Sequence, residues 1–225
     1  MRAPLIIAGP SAVGKSTVAE VLLSNTELFS FIRSVTTRAR REGEDEYIYI
    51  SEEEFNSYEA EGKLLECMHY VGASYGTPRS ELERADGEGR HPLLILDLTG
   101  VESMRKTEEG KSAFCVYLYD DLNQMEERLY ARELSSPSVG GLLRFAKRKE
   151  ANINDYLTMP VHAHLISAFI KNETPESTAK AVLEAFDAFL KDGTELSLEK
   201  RAEFGERLKA NAEEKVRAAE ELQNQ

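Results

Sequence analysis

A chain of 225 residues, 41% of them hydrophobic, can bury one substantial core and fits one domain, with or without small inserts. Its formal charge of −12 argues against nucleic acid or an anionic membrane as the main partner, so any phosphate site has to be a local basic patch. The two cysteines, Cys67 and Cys115, lie far apart without metal-ligand spacing, residues 1–8 are too short for a signal peptide, and no apolar run would span a bilayer; a cytoplasmic protein is expected.

The chain opens with Leu5-Ile6-Ile7-Ala8, continues with Gly9-Pro10-Ser11-Ala12-Val13-Gly14-Lys15-Ser16-Thr17, and then carries Val18, Val21 and Leu22 at helical spacing. A buried strand, a glycine-bearing loop and a helix in that order, with the loop spelling G-x-x-x-x-G-K-S, form the pattern of a phosphate-cradling P-loop. Gly9 and Gly14 permit backbone angles that a Cβ would block, so successive N–H groups can point at an anion on the helix N-terminus. Lys15 adds a positive charge for the outer phosphates, and Ser16 offers a hydroxyl to Mg²⁺. The nine residues 9–17 are therefore the expected seat of a nucleoside triphosphate.

After a first helix ending near Asn25, the segment 34–44 holds Arg38, Arg40 and Arg41, close behind Arg33. Guanidinium forks fit phosphate oxygens bidentately, so near a P-loop such a segment reads as a clamp for a second phosphorylated molecule. Residues 47–50 alternate like a strand, Ser51 to Glu54 form a capping box, and Gly62 closes the helix that follows. Residues 64–71 read as another strand, in which Glu66 would be costly to bury without a partner. Residues 72–76 are expected to turn the chain, and Thr77-Pro78 to cap a short helix that ends before Gly87.

Leu93-Leu94-Ile95-Leu96-Asp97 is an apolar strand ending in a carboxylate, which reads either as an ordinary strand end or, beside a P-loop strand, as the Walker B arrangement in which Asp97 faces Mg²⁺. Thr99 with Glu102 reads as a further helix cap. Residues 113–119 form the next core strand, and Asp121 with Gln124 caps the helix reaching Arg132. Residues 135–141 are small and polar, a mobile segment by composition, and a second basic run with Arg144, Lys147, Arg148 and Lys149 follows on a helix. That run reads as a lid closing over transferring phosphates. Residues 164–170 read as the last strand, and Thr174-Pro175-Glu176 starts a helix ending at Gly193. Beyond it, residues 197–225 form a charged helical segment whose thin stripe (Leu208, Ala212, Val216, Ala219) must pack back on the domain, join a partner or fray.

Alternating strands and helices imply an α/β fold with a parallel core sheet covered on both faces. To about Leu190 the chain resembles the guanylate kinase family, which implies a P-loop three-layer fold with a small inserted acceptor-binding region and a lid, the C-terminal helix being extra to it. The resemblance rests on GPSxxGKST, on S-x-T-T-R-x-x-R-x-G-E with a tyrosine after it, on a glutamate ahead of Y-G-S/T, on the apolar strand ending in Asp, and on the arginine-bearing lid. It implies a core of residues 1–32 and 92–193 with a lid at about 131–149, a GMP-binding insert of 33–91, and an extension of 194–225.

The resemblance further implies transfer of the γ-phosphoryl of ATP to GMP, with Mg²⁺. Arg38, Arg41, Tyr47 and Tyr75 would hold the GMP phosphate; Glu66 would accept from guanine N1–H and the 2-amino group; Ser34 and Thr77 would face O6. Lys15, Arg38, Arg132 and Arg144 would be catalytic, and Ser16 with Asp97 would position the metal, Asp97 also lying on the substrate side. The C-terminal helix is a candidate contact for a homodimer. The chain departs from the family where Arg40 replaces a common proline, where the loop between Arg41 and Tyr47 is short, and where Thr99 replaces a second acidic residue. Those departures keep open a P-loop kinase for another phosphorylated acceptor, such as a ribose bisphosphate. A non-catalytic guanylate-kinase-like interaction module is the other alternative, and the intact P-loop argues against it.

Overall fold

The computed structural model describes residues 2–40, 47–70, 72–134 and 139–223. The chain divides into two compact units, one of Met1–Ile6 and Leu22–Phe114 and one of Ile7–Val21 and Cys115–Gln225. The dividing line passes through β1 (Leu5–Ala8) and α1 (Lys15–Asn25), each of which belongs partly to both. The expected α/β class with a parallel central sheet is what is found.

In the first unit β2 (Phe29–Phe31), β7 (His91–Leu96) and the start of β1 are neighbours in the order β2-β7-β1, with β2 parallel to β7. The same unit carries a second sheet of β3 (Ser34–Thr36), β4 (Tyr47–Tyr49), β5 (Leu64–Tyr70) and β6 (Ala73–Pro78), in the order β4-β3-β6-β5. β3 runs parallel to β4 and antiparallel to β6, which also pairs antiparallel with β5. One face of this sheet is apolar: Val35, Leu64, Ile48 and Cys67 pack with Phe55 from α2 (Glu52–Ala60). A register shift between Leu64 and Glu66 breaks the alternation, so that Leu64 joins this core while Glu66 faces the other way. The unit is completed by α3 (Arg79–Gly87), α4 (Leu98–Met104) and the short α5 (Glu108–Lys111).

In the second unit the order is β1-β8-β9, with β8 (Phe114–Tyr119) parallel to β9 (Ala168–Lys171). From Phe114 to Leu118 every residue of β8 is buried, as a parallel strand covered on both faces requires. Beside the start of α1, the helices described here are α6 (Leu122–Glu133), α7 (Val139–His162), α8 (Pro175–Asp192) and α9 (Leu198–Gln223). The C-terminal segment packs back on its own chain against α7. Leu208 and Ala212 are fully buried, and a Cβ at Gly205 would stand 3.0 Å from Pro160 Cα, so the two helices cross closely there.

Several local expectations are corrected. Thr77 caps nothing: it lies in β6, and α3 starts from Pro78 without a side-chain cap. Residues 73–76 are strand rather than turn, because they pair with β3 and β5. Thr99 sits inside α4, whose N-cap is Asp97. The last strand begins at Ala168, since α7 continues to His162 and a 3₁₀ turn takes Ala163–Leu165. The segment expected to be mobile falls largely on residues 135–138, outside the described residues.

Candidate functional site

In the second unit the loop from Gly9 to Gly14 has the backbone its glycines allow. Gly9 has φ +146° and Gly14 φ +102°. A Cβ at Gly9 would lie 2.4 Å from the Leu118 carbonyl oxygen, and one at Gly14 would lie 2.5 Å from Asn172 Nδ2. Ala12, between them, also takes a positive φ of 62°. Val18 N–H donates to Gly14 O at 3.0 Å, which starts α1 at the end of the loop. No acidic residue occupies the first turn of α1, whose N-terminus is the positive end of the helix dipole. Lys15 Nζ folds over the loop and donates to Gly9 O at 2.7 Å and Pro10 O at 2.8 Å.

Two buried asparagines, neither singled out from the sequence, hold this loop. Asn152 on α7 accepts from Ser11 N–H through Oδ1 at 2.8 Å and donates to Ser11 O through Nδ2 at 2.9 Å. Asn172, just after β9, donates to Val13 O at 2.6 Å and is itself fixed by the Thr178 hydroxyl at 2.8 Å. Arg148 Nη1 donates to Ser11 Oγ at 3.3 Å. Arg132 and Arg144, both expected at the site, are drawn with Arg148 to one carboxylate, Glu133, whose side chain is 5% exposed. The sequence does carry a signal for Asn152: it lies four residues from both Arg148 and Tyr156, on the helix face that turns inward.

In the first unit, strand register gathers the expected acceptor residues on one face of the four-stranded sheet. Ser34 stands opposite Tyr47, Thr36 opposite both Tyr49 and Tyr75, and Glu66 opposite Thr77. Alternation therefore puts Ser34, Tyr47, Tyr75, Thr77 and Glu66 together, on the side away from Val35 and Phe55. The Tyr47 and Tyr75 rings meet edge to face at 5.9 Å, and the Arg38 guanidinium lies 5.5 Å from the Tyr47 centroid and 5.9 Å from that of Tyr49. Tyr49 was not expected in this cluster; its place two residues after Tyr47 was the available signal. Arg41 lies outside the described residues.

Glu66 is 8% exposed, and burial pushes its carboxyl up to about 7. The Thr77 hydroxyl, donating to Oε1 at 2.6 Å, pulls in the opposite direction, and the charge of Asp97 adds to the rise. Thr77 has one proton, and here it serves Glu66. Asp97 is exposed and spends Oδ1 on the Gly100 N–H at 2.7 Å, as the cap of α4. Among the described residues no group of three or more His, Cys, Asp or Glu forms a metal cage.

Strand, glycine loop and helix N-terminus in a parallel α/β setting define a P-loop protein of the nucleotide-kinase type. The chain belongs to the guanylate kinase family, whose sequence model matches residues 1–188. It is 33% identical over 167 residues to a guanylate kinase of Granulibacter bethesdensis, spanning 73% of this chain and 78% of that one. It is 33% identical over 185 residues to that of Rhizobium meliloti, covering 80% and 81%. The crystal structure of guanylate kinase from Anaplasma phagocytophilum superposes with a TM-score of 0.61 at 26% identity, over 90% of this chain and 94% of that one.

Proposed function

We propose that the protein transfers the γ-phosphoryl group of ATP to GMP, giving ADP and GDP. The observation that carries this reading is the polar face of the second sheet, where a buried glutamate oriented by a threonine shares one surface with an arginine and two tyrosines. Guanine presents two donors, N1–H and the 2-amino group, beside one acceptor, O6. Glu66 as a carboxylate takes both donors, and the Ser34 hydroxyl serves O6. Once guanine's donors hold Glu66, the Thr77 proton is released to turn to O6 as well. Adenine leaves such a set unpaired, which is how a buried polar site rejects the wrong base. Arg38, Arg41, Tyr47 and Tyr75 take the acceptor's phosphate, within a GMP-binding portion of residues 33–91.

Residues 9–17 suit the triphosphate: a Cβ at Gly9 or Gly14 would collide with neighbouring atoms, and the loop leads straight into the N-terminus of α1, the end of a helix that attracts an anion. Lys15, now on loop carbonyls, is placed to exchange them for outer phosphate oxygens, and Arg132 and Arg144 stabilise charge on the transferring group. Mg²⁺ needs few protein ligands when it rides on phosphates: Ser16 would offer it a hydroxyl, and Asp97, with Oδ1 on the Gly100 N–H, keeps a second carboxylate oxygen as the other candidate donor. Bound there, it would neutralise charge on the phosphates. No protein nucleophile is needed, because a phosphate oxygen of GMP attacks in line.

The test is a coupled assay with ATP and Mg²⁺ against GMP, AMP, UMP and ribose 1,5-bisphosphate. GMP should be turned over best; equal or faster turnover of an acceptor without guanine overturns the assignment.

A further inference from the structure

Glu133 has no part in the reading above, yet it is the centre of the arginine cluster beside the loop. Its side chain is 5% exposed, at the C-terminal end of α6, and three guanidinium groups converge on it. Arg132 Nη2 reaches Oε1 at 3.3 Å, Arg144 Nε reaches Oε2 at 2.9 Å, and Arg148 Nε reaches Oε1 at 3.4 Å. The arginine side chains are 46%, 50% and 30% exposed, so the carboxylate is the buried base on which they stand.

Two of the three meet it through Nε. That edge of a guanidinium can be held while the terminal nitrogens work elsewhere, and Arg148 shows the division directly: Nε is on Glu133 while Nη1 donates to Ser11 Oγ in the loop. Ser11 is the residue whose main chain Asn152 grips from the same helix. One carboxylate thus connects the end of α6, the arginines of α7 and the phosphate loop. Without it, three like charges would repel one another and no shared anchor would set their directions.

The geometry points to Glu133 as a positioning residue: a buried anionic anchor that holds Arg144 and Arg148 by their Nε edges and Arg132 by one terminal nitrogen, so that their remaining nitrogens are preset for the triphosphate. The inference rests on the proposed kinase reading for its catalytic consequence, but its binding consequence depends only on the loop.

The test compares wild type, Glu133→Gln and Glu133→Asp in the full chain. Gln keeps the shape and removes the charge, while Asp keeps the charge and withdraws it by one methylene. For Glu133→Gln, kcat should fall roughly 10- to 100-fold with KM for GMP within about twofold of wild type, and the affinity for AMP-PNP with Mg²⁺ by calorimetry should fall about fivefold or more. Glu133→Asp should recover part of both losses. The ¹⁵N–¹H Nε resonances of Arg144 and Arg148, protected in wild type, should move to exchange-broadened positions in Glu133→Gln. Unchanged kcat and AMP-PNP affinity in a folded Glu133→Gln would overturn the inference; so would increased activity, which would make the carboxylate a competitor for the arginines. If Glu133→Gln does not fold, wild-type values in Glu133→Asp overturn it equally. Failure of the wild type to phosphorylate GMP would defeat the kinase reading, while the AMP-PNP series would still decide the role of Glu133.

Discussion

Replacing Glu66 by Gln should make the protein more stable and less able to bind GMP, and the stability gain should depend on pH. Burial holds the Glu66 carboxyl near 7 against an ordinary 4.5, a difference worth ~3 kcal/mol. The folded state keeps this proton up to about pH 7, whereas the unfolded chain releases it near 4.5. Between those values the native state binds more protons, so stability falls as pH rises through the window, and the full penalty is present above about 7. Gln never ionises, still accepts from Thr77 Oγ1, and removes the penalty. At pH 8 the variant should gain ~3 kcal/mol, a rise in melting temperature of roughly 6–12 °C for a chain of this size; at pH 4 the two proteins should melt nearly together. Its amide cannot accept both guanine donors, so GMP affinity should fall roughly 100-fold while ATP affinity holds. In wild type, GMP affinity should drop about tenfold from pH 8 to pH 6 as the carboxylate is protonated, with the Glu66→Gln series subtracting titration of the nucleotide's own phosphate. Scanning calorimetry and isothermal titration over pH 4–8 read both effects. A variant that melts at or below the wild-type temperature at pH 8, or whose gain is the same at pH 4 and pH 8, would refute the reasoning.

Lys15→Ala removes two donations to loop carbonyls, at 2.7 and 2.8 Å, and should cost ~1–2 kcal/mol of stability against a fall in kcat of roughly 10²- to 10³-fold; chemical denaturation and single-turnover assays separate the two. Asn152→Leu keeps the volume but frees both main-chain groups of Ser11, so KM for ATP should rise about tenfold while KM for GMP stays put, as steady-state kinetics will show. Truncation after Gly193 strips the cover from α7 and removes the fully buried Leu208 and Ala212. It should cost at least ~3 kcal/mol, read as a lower denaturation midpoint, and an unchanged midpoint would contradict the packing of α9.

What the sequence made legible, and what it hid, follows from how far each residue's reason for being there reaches along the chain. Gly9 and Gly14 answer to their own backbone angles, so the loop could be read directly. The acceptor face could be read nearly as well, because strand alternation places Tyr47, Tyr75, Thr77 and Glu66 by a rule with a period of two. Thr77 and Thr99 were misread because a threonine ahead of a helix suits a cap as well as a strand or a first turn. What separates the cases is a partner: Glu66 takes the Thr77 proton, and Asp97 reaches the Gly100 amide first. Asn152 and Ser11 are 141 positions apart: helical spacing can put that asparagine on the inward face with Tyr156, but nothing local says which main-chain groups it meets there. Glu133 shows the same limit at shorter range. Next to Arg132 and eleven positions before Arg144, it looks like one member of a solvated charge pattern, and only its burial at the end of α6 turns it into an anchor. A polar residue acquires its function from the desolvation that makes its partners obligatory, and that desolvation is created by the packing of other elements. Residues proposed to contact phosphate or base are therefore the legible ones, while those that aim them come into view only once the chain is folded.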